Sequence, residues 1–327
     1  MKIQARFPVL DDYLRRLPAA SGEHHRIWLN AQGQAQGSYF NCELTSVFQP
    51  VRRLGTGEVV GHEAFVRSSS EDDAALSIWK LLEGAASDDE SIALDRLCRM
   101  MHAINFFRQS PDEQADLFLS VHERLLAAVS SSHGVVFRRV LASLGLPVER
   151  IVLQMPPARP GQQFLLTYVA DNYRRSGFRV AVNALDAADG LRLLEQISPD
   201  VLKLDARTIT DAGMLESLAV QCRMRGTVLL LKQVEFASVN DAPDRVGSVL
   251  AQGHAWDQPA ALFGSLFDEA LVLADRVLVI EDGRIGLDVA VPLSHPRRKT
   301  DPEFDRMRSE FFASGHRQHG RTRRIKS

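Results

Sequence analysis

Short, almost continuous apolar runs recur along this chain, and segments with helical spacing separate them. The clearest runs cover residues 116–122, 150–155, 178–183, 201–205 and 227–232. Strands that are apolar on both faces and alternate with amphipathic helices predict a parallel sheet covered by helices on its outer side. At least six such units with short connections favour a closed (β/α) barrel over an open sheet. In such barrels, functional side chains gather at the C-terminal ends of the strands.

Polar residues close these apolar runs. Glu63 lies in the segment 58–67, and the ends of four later strands carry Ser120, Gln154, Asn183 and Lys232. A hard divalent cation needs several anionic or strongly polar oxygens that converge on one point. These positions offer one certain carboxylate, Glu63, and one lysine, Lys232, so we predict a barrel that has lost the ability to hold such a cation.

Two helical segments have an apolar spacing of three and four residues. The residues that share a face in the first are Ile92, Leu94, Leu97, Cys98, Met101 and Ile104. In the second they are Leu165, Tyr168, Val169, Asn172 and Tyr173. We expect both faces to pack against the sheet.

Three motifs resemble those of the EAL domain family, in the family's order and spacing. They are Phe48-Gln-Pro-Val51, His62-Glu-Ala-Phe-Val-Arg67 and Pro199-Asp-Val-Leu-Lys-Leu-Asp205. Members of that family are phosphodiesterases that linearise the bacterial second messenger cyclic di-GMP. The resemblance spans roughly residues 40–262 and implies an α/β fold, a modified TIM (β/α)8 barrel of EAL type. It agrees with the barrel predicted from the alternating strands and helices.

The resemblance also implies that most metal ligands are absent. The Glu of the Glu-Ala-Leu motif is retained as Glu63, but the usual Asn, Glu and Glu of three later motifs are Ser120, Gln154 and Lys232. The Asp-Asp pair of a fourth motif is Asn183-Ala184, and Asp186 lies too far along the chain to replace it. Loss of these carboxylates removes the charge that strips water from Mg²⁺ or Mn²⁺. We therefore expect no catalytic residue, no metal and no other cofactor.

Several family positions that contact the nucleotide are still polar. If nucleotide binding is retained, the resemblance implies the following residues for it: Gln49, Glu63, Arg67, Lys203, Asp205, Lys232, Glu235 and Gln252. Two of them allow other interpretations. Glu63 could instead pair with Lys203 as a structural ion pair, and Lys232 could either repel a metal ion or replace it by meeting a phosphate.

The C-terminal segment has a second, shorter resemblance. Residues 268–280, with Gly283-Arg-Ile285 and Asp301-Pro-Glu-Phe304, are similar to the end of nitrate/sulfonate-type ABC transporter ATPases. The chain contains no Walker A pattern, so we expect no ATP binding. We predict four segments: an N-terminal lead-in (1–39), a degenerate EAL barrel (40–262), a small α/β appendage (263–314) and a basic disordered tail (315–327). The appendage could serve docking or dimerisation, and the sequence leaves open whether the chain forms a homodimer.

Composition sets the broad class of the protein. The net charge of −2 argues against a globally basic nucleic-acid binder, and the three widely spaced cysteines lack metal-ligand spacing. The N-terminus does not have the pattern of a signal peptide, and no apolar run approaches the length of a membrane span. These features indicate a cytoplasmic location.

The function predicted from the sequence is that of a catalytically inactive EAL-domain signalling protein, a regulator that acts through an unknown protein partner. The alternative is a metal-independent effector that binds cyclic di-GMP. An active cyclic di-GMP phosphodiesterase is the least favoured interpretation, because the metal ligands are mostly replaced.

Overall fold

Eight strands close into a barrel in this computed structural model. The residues that the structure describes are 7–18, 27–30, 33–39, 42–69, 87–109, 114–122, 133–157, 162–209, 212–234, 249–253, 257, 259, 274–281 and 284–293. The chain forms two compact units, Met1–Ala261 and Leu262–Ser327. The predicted disordered tail, 315–327, lies outside the described residues, as do 263–273 and 294–314 of the predicted appendage.

The barrel strands follow the apolar runs of the sequence. In chain order they are β3 (Cys42–Arg53), β4 (Val59–Ser69), β5 (Asp116–Ser120), β6 (Ile151–Met155), β7 (Arg179–Ala184), β8 (Val201–Asp205), β9 (Val228–Lys232) and β10 (Val249–Ala251). Strands β4 to β10 are parallel to their neighbours, and β3 closes the barrel by pairing antiparallel with both β4 and β10. This closure confirms the predicted fold, and the antiparallel β3 is its departure from a regular (β/α)8 barrel.

The N-terminal segment extends the sheet. Helix α1 (Pro8–Leu14) has proline in its first turn, where the missing N–H removes no helical hydrogen bond. Strands β1 (Ile27–Leu29) and β2 (Ala35–Tyr39) are antiparallel, and β2 pairs with the start of β3. The lead-in predicted before the barrel therefore contributes two strands to the ten-stranded sheet.

Helices pack on the outer side of the barrel. They are α2 (Asp88–Gln109), α3 (His133–Ser143), α4 (Gln163–Arg175), α5 (Ala187–Gln196) and α6 (Ala212–Met224). Helix α5 begins at Asp186, whose side chain accepts a hydrogen bond of 2.8 Å from the Asp189 backbone N–H. The described helices contain no segment that is long and apolar enough to cross a membrane.

The buried face of α4 differs from the predicted one. The buried residues are Leu166, Val169, Ala170 and Tyr173, whereas Tyr168 is 42% exposed. The predicted buried face is rotated about the helix axis relative to the observed one. Leu165 and Tyr168 were counted as core positions because of their apolar character alone. Burial of α2 is as expected at Leu94, Leu97, Cys98, Met101 and Ile104.

An apolar layer fills the lower part of the barrel. It is formed by Val51, Phe118, Val152, Ala181, Val201, Leu230 and Leu250, one residue from each of seven strands. Because strand side chains alternate between faces, residues two positions further toward the mouth point into the same interior. The floor beneath the candidate site is therefore apolar and buried.

The second unit contains an antiparallel pair. Strands β11 (Arg276–Glu281) and β12 (Arg284–Ala290) pair with a register irregularity between Val279 and Ile280.

Candidate functional site

Each of the eight barrel strands brings one polar side chain to the mouth, and seven of these side chains lie two positions above a residue of the apolar layer. The eight residues of this polar ring are Gln49, Glu63, Ser120, Gln154, Asn183, Lys203, Lys232 and Gln252, the last of which follows β10. They line a cavity of about 510 Å³. The formal charge of the polar ring is +1, since the ring holds two lysines and one glutamate.

Glu63 lies at the centre of a buried network. Its Oε2 lies 2.8 Å from Lys203 Nζ, and its Oε1 accepts a hydrogen bond of 2.8 Å from the Gln154 amide. Lys203 Nζ also donates to Gln154 Oε1, and Gln154 Nε2 lies 3.4 Å from Ser120 Oγ. Both carboxylate oxygens of Glu63 thus have partners from within the barrel.

This network keeps Glu63 ionised. Burial opposes its charge, but the adjacent ammonium of Lys203, with hydrogen bonding from Lys203 and Gln154, holds the pKa of the carboxyl below its usual range. The side chain of Lys203 is only 3% exposed and that of Glu63 11%. Of the two interpretations of Glu63 left open by the sequence, this geometry corresponds to an ion pair with Lys203.

Lys232 belongs to a second contact at the mouth. Its Nζ donates a hydrogen bond of 3.0 Å to Asn183 Oδ1, and Asn183 Nδ2 donates one of 2.8 Å to the carbonyl of Met155. Burial lowers the pKa of Lys232, and repulsion from Lys203 lowers it further. The two ammonium groups therefore act on each other inside one cavity.

On the opposite side of the mouth, Gln49 and Arg52 contact Asp257, which is far away in the sequence but belongs to the same unit. Gln49 Nε2 donates a hydrogen bond of 2.9 Å to the Asp257 carbonyl, and Arg52 Nε lies 2.6 Å from Asp257 Oδ2. The sequence reasoning missed Arg52 and Asp257. The two residues are 205 positions apart, and neither stands in an apolar run.

The position of Gln252 is fixed by close backbone contacts between the residues that follow β9 and those that follow β10. The Val234 N–H donates to the Gln252 carbonyl at 3.1 Å, and the Gln252 N–H donates to Leu231 at 2.8 Å. A Cβ on Gly253 would lie 2.0 Å from the Val234 carbonyl oxygen, so only glycine fits there. Gln252 is 3% exposed, and within the described part of the chain its Nε2 has no partner in hydrogen-bonding geometry. Its amide still contributes to lowering the pKa of Glu63.

The structure brings together five of the eight residues expected to contact a nucleotide. Gln49, Glu63, Lys203, Lys232 and Gln252 line the cavity.

The other three stand apart from this cavity or beyond the described chain. Arg67 is exposed on β4, four residues beyond Glu63, and it is absent from the cavity wall. Asp205 accepts hydrogen bonds from Arg207, which lower the pKa of its carboxyl. Glu235 lies outside the described residues.

The polar ring does not fit a pair of divalent cations. Its single carboxylate already has a charged partner, and the remaining groups are neutral amides, a hydroxyl and two ammonium groups that have no lone pair for a metal. Among the described residues, no group of three or more His, Cys, Asp or Glu side chains could hold a metal ion. Oxygen-rich, anionic coordination is what Mg²⁺ requires, so the donor set argues against such ions at this point of the barrel.

Comparison with known proteins relates the barrel to one family. The family model for the EAL domain matches residues 33–259. The EAL-domain protein YkuI of Bacillus subtilis, in complex with cyclic di-GMP and calcium, superposes with a TM-score of 0.58 at 20% identity. A calcium and cyclic di-GMP complex of Klebsiella pneumoniae BlrP1 superposes with a TM-score of 0.56 at 18% identity. These two alignments cover 67% and 66% of this chain and 55% and 56% of the respective structures.

A second similarity agrees with the C-terminal resemblance. The aliphatic sulfonates import ATP-binding protein SsuB of Frankia casuarinae is 50% identical over 70 residues, which are 21% of this chain and 23% of that protein. A relative from Frankia alni is 53% identical over 57 residues. The chain spans about a quarter or less of the length of these transporter proteins.

Proposed function

The chain belongs to the EAL domain family, and we propose that it is a catalytically inactive member that regulates other proteins through protein–protein interaction. The single observation that carries the proposal is the internal pairing of the polar ring. Glu63 is bonded to Lys203 and Gln154, and Lys232 to Asn183. A mouth whose charged groups already have partners needs neither metal nor nucleotide to be stable.

Loss of hydrolysis follows from charge. Two metal ions accelerate phosphodiester hydrolysis by activating water and by stabilising the attacking and leaving oxygens. Lys232 stands where the family resemblance expects a glutamate. At 4 Å and an effective dielectric of 20, its repulsion of a dication is about 8 kcal/mol. The charge of the one carboxylate in the ring is already balanced by Lys203, so nothing in the ring offsets this repulsion.

A second function, a metal-independent cyclic di-GMP effector, is favoured by a different observation. The cavity of about 510 Å³ has a size typical of ligand sites, its polar ring has a formal charge of +1, and Gln252 directs a buried amide into it. Phosphates are anionic, so a net positive mouth would attract them. Lys232 would then exchange Asn183 for a phosphate oxygen, a charge-assisted contact.

The loss of catalysis is tested directly. Purified full-length protein is incubated with cyclic di-GMP and either Mg²⁺ or Mn²⁺, and linear product is measured beside a Glu63→Gln control. We expect the two proteins to give the same background. Linear product above the control would establish an active phosphodiesterase and refute the proposal.

Calorimetric titration with cyclic di-GMP separates the two non-catalytic functions. No heat and no thermal shift at high ligand concentration support regulation through protein interaction. Micromolar binding without added metal, weakened in Lys232→Ala and unchanged in Arg207→Ala, supports the effector. Arg207 is a suitable control because its side chain is 59% exposed and pairs with Asp205 outside the cavity wall.

Partner recruitment is tested by affinity purification of wild type and of the mouth variant Lys232→Ala/Gln252→Ala, each with and without cyclic di-GMP. We expect the same partner under all four conditions. A partner that requires both the nucleotide and the intact mouth would support the effector instead.

A further inference from the structure

The cavity extends beyond the barrel mouth to the outer side of the sheet, against α2. We name this part the α2 alcove, and its walls are Leu94, Asp95, Cys98, Arg99, Leu119 and Val121. Strand side chains alternate between faces, so Glu63 and Phe65 of β4 face the mouth, whereas Ala64 and Val66 face α2. The alcove is therefore chemically separate from the polar ring.

Arg99 is the buried cation of the alcove. Its side chain is 5% exposed, and its Nε lies 2.8 Å from Oδ2 of Asp95, one helical turn earlier. The guanidinium carbon lies 5.8 Å from the ring centroids of both Phe137 on α3 and Tyr173 on α4. One carboxylate and two aromatic rings thus hold the guanidinium in a fixed orientation.

This guanidinium retains unused donor capacity. Across the described residues, Arg99 Nη2 is buried and has no partner in hydrogen-bonding geometry, and the same holds for the neighbouring Tyr173 hydroxyl. Burial opposes its charge, but Asp95 and the neighbouring Tyr173 hydroxyl raise the pKa of Arg99, so the group stays cationic. A buried charged donor without an acceptor is rare in folded proteins and commonly marks a site for water or a ligand. Arg99 shares in lining the cavity, so a ligand there can reach it.

The surrounding walls select the class of ligand. Leu119 and Val121 are buried and apolar, and burial raises the pKa of the Cys98 thiol, which therefore remains neutral. Asp95 already pairs with the guanidinium, and burial raises the pKa of its carboxyl, so the alcove disfavours further negative charge and a monoanion fits better than a phosphate dianion. We propose that the α2 alcove binds a small organic acid, whose carboxylate pairs with Arg99 and whose apolar body packs against Leu119 and Val121.

A matched pair of ligands tests the charge requirement in the full-length protein. Benzoate and benzamide have nearly the same shape, but only benzoate is anionic. We expect benzoate to bind at least about tenfold more tightly in calorimetric titration, as a charge-assisted hydrogen bond implies. Hexanoate and hexanamide should show the same contrast. Equal affinities, or no binding of either acid, would overturn the proposal.

Variants locate the site. Arg99→Lys keeps the charge but loses the planar fork of donors, and we expect it to weaken benzoate binding about tenfold. Arg207→Ala, outside the cavity wall, should leave benzoate binding unchanged. If Arg99→Lys leaves benzoate binding unchanged and Lys232→Ala weakens it, the acid binds at the polar ring and the proposal is overturned. This result is independent of whether cyclic di-GMP binds.

A measurement on the unaltered protein guards against misfolding of the Arg99 variant, because Arg99 also holds Asp95. Crystals soaked in 4-bromobenzoate should give an anomalous bromine peak beside Leu119 or Val121, with the carboxylate directed to Arg99. A peak at the polar ring, or no peak, would refute the α2 alcove as the binding site.

Discussion

Replacing Lys203 by methionine should destabilise the barrel strongly. Nζ of Lys203 lies 2.8 Å from Glu63 Oε2, which corresponds to an attraction of about 6 kcal/mol at an effective dielectric of 20. Desolvation of both groups offsets part of it. Because Lys203→Met leaves the Glu63 charge buried and unpaired, we expect a loss of about 3–5 kcal/mol in the free energy of unfolding.

A double-mutant cycle isolates this pair. In Lys203→Met/Glu63→Gln both charges are gone, and the new amide can bond to Gln154. We therefore expect the double variant to be more stable than Lys203→Met alone by at least about 2 kcal/mol. Arg207→Met, which breaks the exposed pair with Asp205, should cost less than about 1 kcal/mol.

The assay is urea unfolding at pH 7 followed by tryptophan fluorescence. Trp28, Trp79 and Trp256 all belong to the unit Met1–Ala261, so the signal reports on the barrel unit. Unchanged m-values would show that the variants unfold from a comparably compact state. A loss below about 1 kcal/mol in Lys203→Met, with additive effects in the double variant, would refute a buried, coupled pair.

Three further outcomes are expected. Burial lowers the pKa of His102 to about 3 from 6.5, so its neutral form favours folding fully above pH 6.5, and this contribution is lost as the pH falls. The slope is about 1.4 kcal/mol per pH unit in urea unfolding, and His102→Gln should remove it. Gly253→Ala should lower the melting temperature, since its Cβ would meet Val234 at 2.0 Å. Gln154→Glu/Lys232→Glu should bind Mn²⁺ measurably in calorimetry, because it adds two carboxylates and removes an ammonium.

Each of these outcomes can fail in a specific way. A stability profile of His102→Gln with the wild-type slope would mean that other groups control the acid response. A melting temperature of Gly253→Ala equal to that of wild type would mean that the backbone at Val234 can move away from residue 253 at no cost in stability. Absence of Mn²⁺ binding in the double glutamate variant would mean that charge at these two positions does not decide metal affinity.

The barrel could be predicted because the apolar runs of its strands are patterns within short stretches of sequence. The strand 201–205 was predicted with the bounds that the structure gives to β8, since a continuous apolar run is typical of a strand buried on both faces. Polar residues at the run ends identified the strand positions that form the mouth. Glu63, Gln154 and Lys203 could be assigned to one region before any distance was known.

Contacts between distant parts of the chain were not predictable. Arg52 meets Asp257 across 205 residues, and the pairing of Glu63 with Lys203 remained one of two interpretations. Arg67 shares a strand face with Glu63 but lies four residues further along β4, about 13 Å at the usual rise per residue. The spacing of residues in a motif does not show which of them line the cavity.

The ammonium of Lys203, tethered to β8 beside Glu63, also changes what the barrel needs from its surroundings. A bound ion stabilises a protein only in proportion to its free concentration, and a chelator removes it. A side chain is covalently attached and can be neither diluted nor chelated. The stability of such a barrel does not depend on the supply of divalent ions, as the proposed regulation through protein contacts would require.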